Sequence, residues 1–194
     1  MKPVLMGRRY CLVPFTPEFH RPAYLLSIAE VTGFRWRFNG IVPTYDVFER
    51  SINSNVLVQF AVASRDDPSK MLGLVVAYNA NPQDGYVYLA SISDPTAGVG
   101  SLEGTVLMVN YLLVTWPFRK IYMDVMEYNV FQFKSAIDRG LFKEESRLVD
   151  HRYMDDRYWD QLTYAMYRDD AQNFGALHAH VFSPVEDQGN NGQQ

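Results

Sequence analysis

The alternation of apolar and polar residues predicts the strands in the middle of this chain. From Val56 onward the sequence has a period of two residues, and the segments 66–70 and 81–85 divide it into three apolar runs. Proline, glycine, asparagine and aspartate in those segments favour tight turns between strands. We therefore predict an antiparallel meander of three strands, the last of which covers residues 85–95. An earlier apolar run, residues 10–15, predicts one more strand.

Two short helices are predicted between the first strand and the meander. Pro17 suits the first turn of a helix, whereas Pro22 would interrupt one, so the first helix begins somewhere from Pro17 to Pro22. Thr44 is a suitable N-cap for the second helix. The apolar side of that helix holds Tyr45, Phe48 and Ile52.

A glycine-rich turn follows the meander and leads directly into an apolar helix. Residues 96–104 contain three glycines, and Leu102–Trp116 is almost continuously apolar before Pro117 ends it. This pattern is typical of a helix buried against a sheet. A strand that runs through a glycine turn into a helix directs backbone N–H groups and the positive end of the helix dipole to one point, which suits a pyrophosphate. The run 119–129 then predicts a strand parallel to the last meander strand, because a helix is the usual crossover between parallel strands.

The last third of the chain predicts a helix and a hairpin. A helix over Val130–Arg139 ends at Gly140, which suits a left-handed cap, and a hairpin follows with its turn near Met154–Arg157. The periodicity is lost after Asp170, and the final residues are polar. We expect one domain over residues 1–170 and a partly disordered tail over residues 171–194.

Composition narrows the functional classes. With 194 residues, 47% of them hydrophobic, the chain can bury one core. A net charge of −4 argues against nonspecific binding to nucleic acid or to an anionic membrane, because both require a concentrated positive surface. The sequence has no apolar segment of the ~18 residues that span a membrane, so we expect a cytoplasmic protein.

Neither thiol nor metal chemistry is indicated. The single cysteine, Cys11, lies in an apolar run and is expected to be a small buried hydrophobic residue. Asp155 and Asp156 fall in the predicted hairpin turn, where aspartate is a good turn former. His178 and His180 have no cysteine nearby, so we expect no metal site.

The order of the predicted elements resembles that of the GCN5-related N-acetyltransferase (GNAT) superfamily over Arg9–Asp170. Three stretches look most like the branch that contains the ribosomal-protein N-terminal acetyltransferases: PTYDVFERSI with the following QFAV and LGLVVAYN, the turn and helix AGVGSLEGTVLMVNYLL, and NVFQFKSAIDRGLFKEE. The resemblance implies an α/β (α+β) GNAT fold. Its twisted sheet is mixed and mostly antiparallel, with a splayed pair of parallel strands and helices on both faces.

The resemblance also implies that an acyl group on a phosphopantetheine thioester, as in acyl-CoA, lies between the splayed strands. The pantetheine amides would pair with the end of the meander strand, the pyrophosphate would meet the glycine turn, and two polar side chains would follow the next strand. The implied donor-binding residues are, in that order, Ser91, Ile92 and Ser93; Ala97, Gly98, Val99, Gly100, Ser101 and Leu102; and Asn129 and Gln132. Reasoning from the residues agrees, since a bulged strand edge offers unpaired amides to an extended ligand.

The glycine turn departs from the family pattern. Pro95 stands where the family usually has Arg or Gln, which removes a charge-assisted hydrogen bond to phosphate worth about 1.5–3 kcal/mol. We therefore expect weak binding of free coenzyme A. An acyl-carrier protein, which presents pantetheine without the adenosine, is a second candidate donor, although free acyl-CoA is expected to be the commoner case.

Amine attack on a thioester requires a base for the ammonium proton and an acid for the leaving thiolate. Many relatives place a tyrosine acid seven residues after the asparagine, where this chain has Ala136, so Tyr128 is the candidate substitute. The candidate bases are Asp94 and Glu127, which end the two splayed strands. Asp124 faces the opposite side from Glu127 in strict alternation, so at most one of the two faces the site. For each carboxylate the alternative is a solvated surface position.

Acceptor binding is the step that the sequence specifies least. Arg35 and Trp36, in the loop between the first two helices, and His20, near the start of the first helix, are the candidate acceptor contacts. The alternative for the loop is that its aromatic residues pack inward while its arginines face solvent. We predict an N-acyltransferase that acts on a small-molecule amine or a peptide N-terminus. A GNAT-fold module that binds acyl-CoA without turnover is the alternative, and a homodimer is left open.

Overall fold

Within the described residues, eight strands form one mixed sheet. The computed structural model describes residues 2–28, 43–94, 100–154 and 156–177. The strands are β1 (Leu5–Met6), β2 (Tyr10–Pro14), β3 (Val56–Ser64), β4 (Met71–Asn81), β5 (Tyr86–Ser93), β6 (Lys120–Met126), β7 (Lys143–Met154) and β8 (Arg157–Tyr167). Their order in the sheet is β1-β2-β3-β4-β5-β6-β8-β7. Neighbouring strands are antiparallel, except that β5 and β6 are parallel.

The helices within the described residues connect these strands. They are α1 (His20–Ile28), α2 (Tyr45–Ser51), α3 (Gly100–Thr115), α4 (Lys134–Asp138) and α5 (Arg168–Leu177). Two 3-10 turns, Pro17–Phe19 and Glu127–Phe133, lead into α1 and α4. The helix α3 is the crossover between the parallel strands, as predicted.

Hydrophobic clusters lie on both faces of the sheet. The larger cluster joins α3 to side chains such as Val62, Val87, Leu89 and Ile121. On the opposite face, Ala23 of α1 and Phe48 of α2 belong to a cluster with β4 residues. We call these the α3 face and the α1 face. Because strand side chains alternate, the odd-numbered residues of β5 and β6 lie on the α3 face and the even-numbered residues lie on the α1 face.

Several sequence predictions are confirmed. The meander is β3–β5, and the hairpin turn lies between Met154 and Arg157. Pro17 begins a 3-10 turn and Pro22 is the third residue of α1, so both prolines fall within first turns, where proline is tolerated. Cys11 is fully buried.

The predictions about element ends are partly wrong. The strand predicted over residues 119–129 ends at Met126, because the chain then enters the 3-10 turn. The helix predicted over Val130–Arg139 is divided between that turn and α4, although Gly140 does have a positive φ of 74°. Thr44 occupies the N-cap position of α2 but makes no side-chain cap hydrogen bond.

The helix α5 was not predicted, because its anchor comes from distant parts of the chain. Arg168 donates from its guanidinium to three backbone carbonyls at the end of α3 and just beyond it. The acceptors are Phe118 (2.7 Å from Nε), Leu113 (2.8 Å from Nη1) and Trp116 (2.7 Å from Nη2). Carbonyls at a helix C-terminus lack partners within the helix, so a cation there is favourable. None of the helices in the described ranges is long and apolar enough to cross a membrane.

Candidate functional site

The parallel strands β5 and β6 separate after three residue pairs. Tyr86–Tyr88 pair with Lys120–Tyr122, and no pair of β5 with β6 follows. Beyond that point β5 stays paired with β4 as far as Ser93, and β6 stays paired with β8 as far as Met126. We call the gap between residues 89–93 and residues 123–126 the wedge. Each strand therefore presents one unpaired edge to it.

The backbone alternation of β5 identifies which amides face the wedge. The Gly85 carbonyl accepts from the Arg119 N–H on the β6 side at 2.7 Å, and the Asp94 N–H donates to Leu72 on the β4 side at 2.8 Å. Counting in steps of two from Gly85, the amide groups of Ser91 and Ser93 point to the wedge, whereas those of Ile92 point to β4. The register between β4 and β5 is continuous from Tyr88 to Ser93. Strand divergence, and not the predicted bulge, opens this part of the edge.

The N-terminus of α3 lies beside the wedge and is fixed by three contacts. Glu103 is buried, and its Oε1 accepts from the backbone N–H of Arg9 at 3.0 Å. A Cβ added at Gly104 would lie 2.7 Å from Val62 Cγ2, so the helix approaches β3 as closely as glycine allows. The Thr105 hydroxyl donates to Ser91 Oγ at 3.0 Å. The first backbone N–H groups of α3 are thus held next to the end of β5.

Asn129 follows the free end of β6 and has an unsatisfied donor. Its side chain is buried, with the residue only 2% exposed. Oδ1 accepts from Gln132 Nε2 at 3.1 Å, whereas Nδ2 has no hydrogen-bond partner among the described residues. A buried unpaired donor costs about 1–3 kcal/mol, so a ligand that supplied an acceptor would regain this free energy. Asn129 and Gln132 together therefore form a candidate polar contact for a ligand.

Asp124 is the carboxylate of β6 that lies at the wedge. It is half-buried on the α1 face, two residues beyond Tyr122, where the pairing with β5 ends. Its Oδ1 accepts a hydrogen bond from the hydroxyl of Thr163, its partner on β8, at 2.7 Å. Burial and, next, the nearby Asp124 carboxylate raise the pKa of Tyr88 above its ordinary value. Asp124 and Tyr88 are thus neighbours across the opening.

The two predicted bases lie differently. Glu127 is exposed and is the first residue of the 3-10 turn, so the strand alternation used to orient it does not apply. Asp94 follows the last residue of β5 and is half-buried. Of the carboxylates at the wedge, Asp124 has the clearest orientation, and the sequence prediction had not selected it as a base.

Comparison with known proteins identifies the fold. No family model matches the sequence, and no curated protein matches it. Solved structures do. The spermidine N-acetyltransferase from Vibrio cholerae in complex with CoA and spermine has a TM-score of 0.69 at 17% identity, covering 85% of this chain and 99% of that chain. A GCN5-related N-acetyltransferase from Brucella melitensis has a TM-score of 0.68 at 18% identity, covering 89% and 83%. An acetyltransferase of the GNAT family from Bacillus anthracis has a TM-score of 0.66 at 12% identity, covering 85% and 98%.

The chain has the GNAT fold. The fold-class prediction is therefore confirmed, with the splayed parallel strands and the helices on both faces that it implied.

Within this GNAT fold, Tyr128 lies against the last hairpin. Its ring is nearly perpendicular to the Trp159 ring, with an interplanar angle of 80° and 5.1 Å between centroids. Trp159 is itself fixed, because its Nε1 donates to the Met154 carbonyl at 3.0 Å. Tyr128 immediately precedes Asn129, so the candidate acid and the candidate donor contact share one 3-10 turn.

The predicted acceptor contacts are only partly described. Arg35 and Trp36 lie outside the described residues, as do Ala97, Gly98 and Val99 of the glycine turn. His20 begins α1, and its Nδ1 lies 3.1 Å from Glu49 Oε1 of α2. This contact joins the two helices of the α1 face.

Three further predicted donor residues lie at the start of α3. Gly100 and Ser101 form the first turn of α3, and Leu102 is exposed there. No group of three His, Cys, Asp or Glu side chains suited to a metal ion occurs in the part of the chain that the structure describes.

Sequence reasoning missed Thr163 and undervalued Asp124. Their contact depends on the pairing of β6 with β8, which brings together two residues 39 positions apart in the chain. The alternation in β6 placed Tyr122 and Asp124 on one side of the strand, but it did not indicate that Thr163 of β8 would contact Asp124. The structural role of Glu103 depends on its contacts with the backbone of Arg9 and of Tyr10 in β2, which no local pattern indicates.

Proposed function

We propose that this protein is an N-acyltransferase that moves an acyl group from a phosphopantetheine thioester to an amine. The observation that carries the proposal is the wedge. Two parallel strands part and leave free edges, beside a helix N-terminus and a buried Asn129 with an unsatisfied donor. An extended ligand with amide groups and a terminal phosphate would satisfy all three. We assign this activity to residues 1–170 acting as one domain.

The donor would be held mainly by backbone groups. Ser91 and Ser93 would pair with pantetheine amides by strand addition, and Ile92 would shape the strand through its buried side chain. The backbone N–H groups of Ala97, Gly98, Val99, Gly100, Ser101 and Leu102 would receive the phosphates. Asn129 Nδ2 would donate to a pantetheine carbonyl, with Gln132 holding the amide in that orientation.

The acceptor ammonium group loses two protons as it becomes an amide nitrogen, and the departing thiolate gains one. We assign the base to Asp124, which would accept the ammonium proton directly or through water. The freed amine attacks the thioester carbonyl, so that a C–N bond forms and the C–S bond breaks. Tyr128 would give its hydroxyl proton to the thiolate and regain one from the second proton that the acceptor nitrogen loses, so that one proton in total leaves through Asp124. Asp94 and Glu127 are retained as alternative bases.

The acceptor is a primary amine in this proposal. The sequence resemblance to ribosomal-protein N-terminal acetyltransferases favours a peptide N-terminus, while a structural neighbour is a spermidine N-acetyltransferase. We propose His20, Arg35 and Trp36 as acceptor contacts, since the α1–α2 side lies on the same face as Asp124.

Thiol release tests the proposal. The purified chain is incubated with acetyl-CoA and a panel of amines, and free thiol is followed over time. Release that depends on an amine supports the transferase. Tight coenzyme A binding without thiol release from any donor would instead support a binding module, an alternative favoured by Ala136 at the position where many relatives have a tyrosine acid.

The donor has a separate test. Pro95 stands where the family usually has a basic residue, so we propose an acyl-carrier protein as a second candidate donor beside acyl-CoA. Rates of acyl transfer are compared for the same acyl group carried by coenzyme A and by an acyl-carrier protein. Equal use of the two carriers, or a preference for acyl-CoA, would reject the argument from Pro95 without affecting the transferase assignment.

A further inference from the structure

Four tyrosines form a continuous aromatic surface on the α1 face. We call Tyr78, Tyr86, Tyr88 and Tyr122 the tyrosine wall; all four are half-buried. Neighbouring ring centroids are 5.3–6.1 Å apart: 5.7 Å for Tyr78–Tyr88, 6.1 Å for Tyr86–Tyr88, 5.5 Å for Tyr86–Tyr122 and 5.3 Å for Tyr88–Tyr122. Three of them belong to the strands that part at the wedge.

The tyrosine wall begins where the wedge begins. Tyr88 and Tyr122 are the last residues of β5 and β6 that pair with each other. Asp124 is the next residue of β6 on the same face. An amine held by Asp124 would therefore have its carbon chain beside tyrosine rings.

The charges around the tyrosine wall oppose a second positive group. Lys120 Nζ lies 5.2 Å from the Tyr122 ring centroid and 5.0 Å from that of Tyr167, so it already occupies both rings. Lys143 lies 4.9 Å from the Tyr167 ring. A ligand with several ammonium groups would bring positive charge close to both lysines.

The neighbouring carboxylates are already engaged by those lysines. Glu145 accepts from Lys120 at 2.7 and 2.8 Å, from Tyr122 at 2.8 Å and also from Tyr167. Asp170 pairs with Lys143 at 2.7 Å. Asp124, by contrast, has no cationic partner among the described residues and accepts only from Thr163. Of these three carboxylates, Asp124 is thus the one that can receive an ammonium group.

We propose that the acceptor is a small primary amine with a single positive charge and an aromatic body, which packs on the tyrosine wall while its ammonium group meets Asp124. Edge-to-face and offset contacts between rings favour an aromatic body over an aliphatic one of similar size. This inference rests on the proposed acyltransferase function and specifies its substrate class.

Three amines separate the alternatives. With acetyl-CoA as donor, initial rates of thiol release are measured for 2-phenylethylamine, hexylamine and spermidine. We expect kcat/KM for 2-phenylethylamine to exceed that for hexylamine by roughly fivefold or more, and that for spermidine by roughly tenfold or more. Equal or higher kcat/KM for spermidine would overturn the inference and leave the transferase intact.

Two variants at one position test the role of the ring. Tyr88→Leu removes the ring, and Tyr88→Phe keeps it. We expect the ratio of kcat/KM for 2-phenylethylamine to hexylamine to fall to near one in Tyr88→Leu and to persist in Tyr88→Phe. A purely structural defect lowers both values together and leaves the ratio unchanged, which would count against the inference. Circular dichroism confirms that each variant is folded.

Binding keeps the two proposals distinguishable. If none of the three amines releases thiol, the full panel of amines and donors still decides the transferase proposal, and calorimetric titration of the coenzyme A-saturated chain with the same three amines decides the inference. Stronger binding of 2-phenylethylamine, weakened by Tyr88→Leu, would support an aromatic amine site. Equal binding of all three amines, or no binding, would overturn it.

Discussion

Asp124 and Glu127 are three residues apart, yet their surroundings differ. Asp124 is half-buried and receives a hydrogen bond from Thr163, whereas Glu127 is exposed in a 3-10 turn. If Asp124 is the base, Asp124→Asn should lower kcat by roughly 10²–10⁴-fold, because loss of a positioned base costs that much. The KM for acetyl-CoA should change little. Steady-state thiol release measures both.

Glu127→Gln is the matched control for this carboxylate. Its exposed position predicts that most of the activity remains. If Glu127→Gln loses most of its activity while Asp124→Asn stays active, Glu127 and not Asp124 is the base.

Asn129 offers a second test at the level of one side chain. Its buried Nδ2 lacks a hydrogen-bond partner among the described residues. Coenzyme A should therefore bind more tightly if one of its carbonyl groups accepts a hydrogen bond from this nitrogen. Asn129→Ala should raise the dissociation constant of coenzyme A by roughly tenfold, which corresponds to about 1.4 kcal/mol. Calorimetric titration measures the change.

Gln132→Ala should have a smaller effect on the same dissociation constant, because Gln132 acts through the orientation of Asn129. Equal affinity of the wild type and Asn129→Ala would remove Asn129 from the donor site.

The helix α3 packs closely against β3 at Gly104. Gly104 lies so close to β3 that a Cβ would be 2.7 and 2.9 Å from the two Val62 methyl carbons. Gly104→Ala should lower the free energy of unfolding by about 1–3 kcal/mol through overpacking. Adding Val62→Ala should recover part of this loss. Urea denaturation of the single and double variants measures both effects.

Gly140 provides the contrasting control. A Cβ there has no atom within 4 Å, but φ is +74°, so Gly140→Ala should cost about 1 kcal/mol from the backbone alone. Val62→Ala should not relieve that cost. Relief of both variants by Val62→Ala would contradict the close approach of α3 to β3.

At the level of the whole molecule, the Lys120–Glu145 pair connects β6 to β7 across β8. Burial alone would raise the pKa of Glu145, but hydrogen bonds from Lys120, Tyr167 and Tyr122 lower it from 4.5 to about 2. A lowered pKa in the folded state means that the pair stabilises the fold fully above pH 4.5 and loses its contribution as the pH falls toward 2. The Tm difference between wild type and Glu145→Gln should therefore be largest near neutral pH and shrink over that acidic range.

Glu144→Gln is the control for the acid prediction. Glu144 pairs with Arg147 at the surface, where 38% and 40% of the two side chains are exposed, and such pairs contribute little. Its Tm should stay close to that of the wild type at every pH. A constant difference between wild type and Glu145→Gln from pH 7 to pH 2 would show that packing, and not charge, explains the effect.

Most of the element order was predictable from local patterns. Period-two runs and turn residues identified β3–β5, and the continuous apolar run after the glycines identified α3 as a buried crossover. The ends of elements were less predictable. Met126 ends β6 although Glu127 and Tyr128 continue the sequence pattern of a strand, and α5 depends on Arg168 contacts made fifty residues away.

The sequence by itself determined the fold class. Strand, glycine turn, helix and parallel strand are local features, and their order resembles a fold in which two parallel strands part and leave a gap. The tertiary structure decided which side chains meet at that gap. Asp124 and Thr163, and the tyrosines of β4, β5 and β6, become neighbours only through strand pairing over long separations in the chain. Strand register fixes such contacts, and register depends on the packing of the whole sheet, which no local pattern specifies.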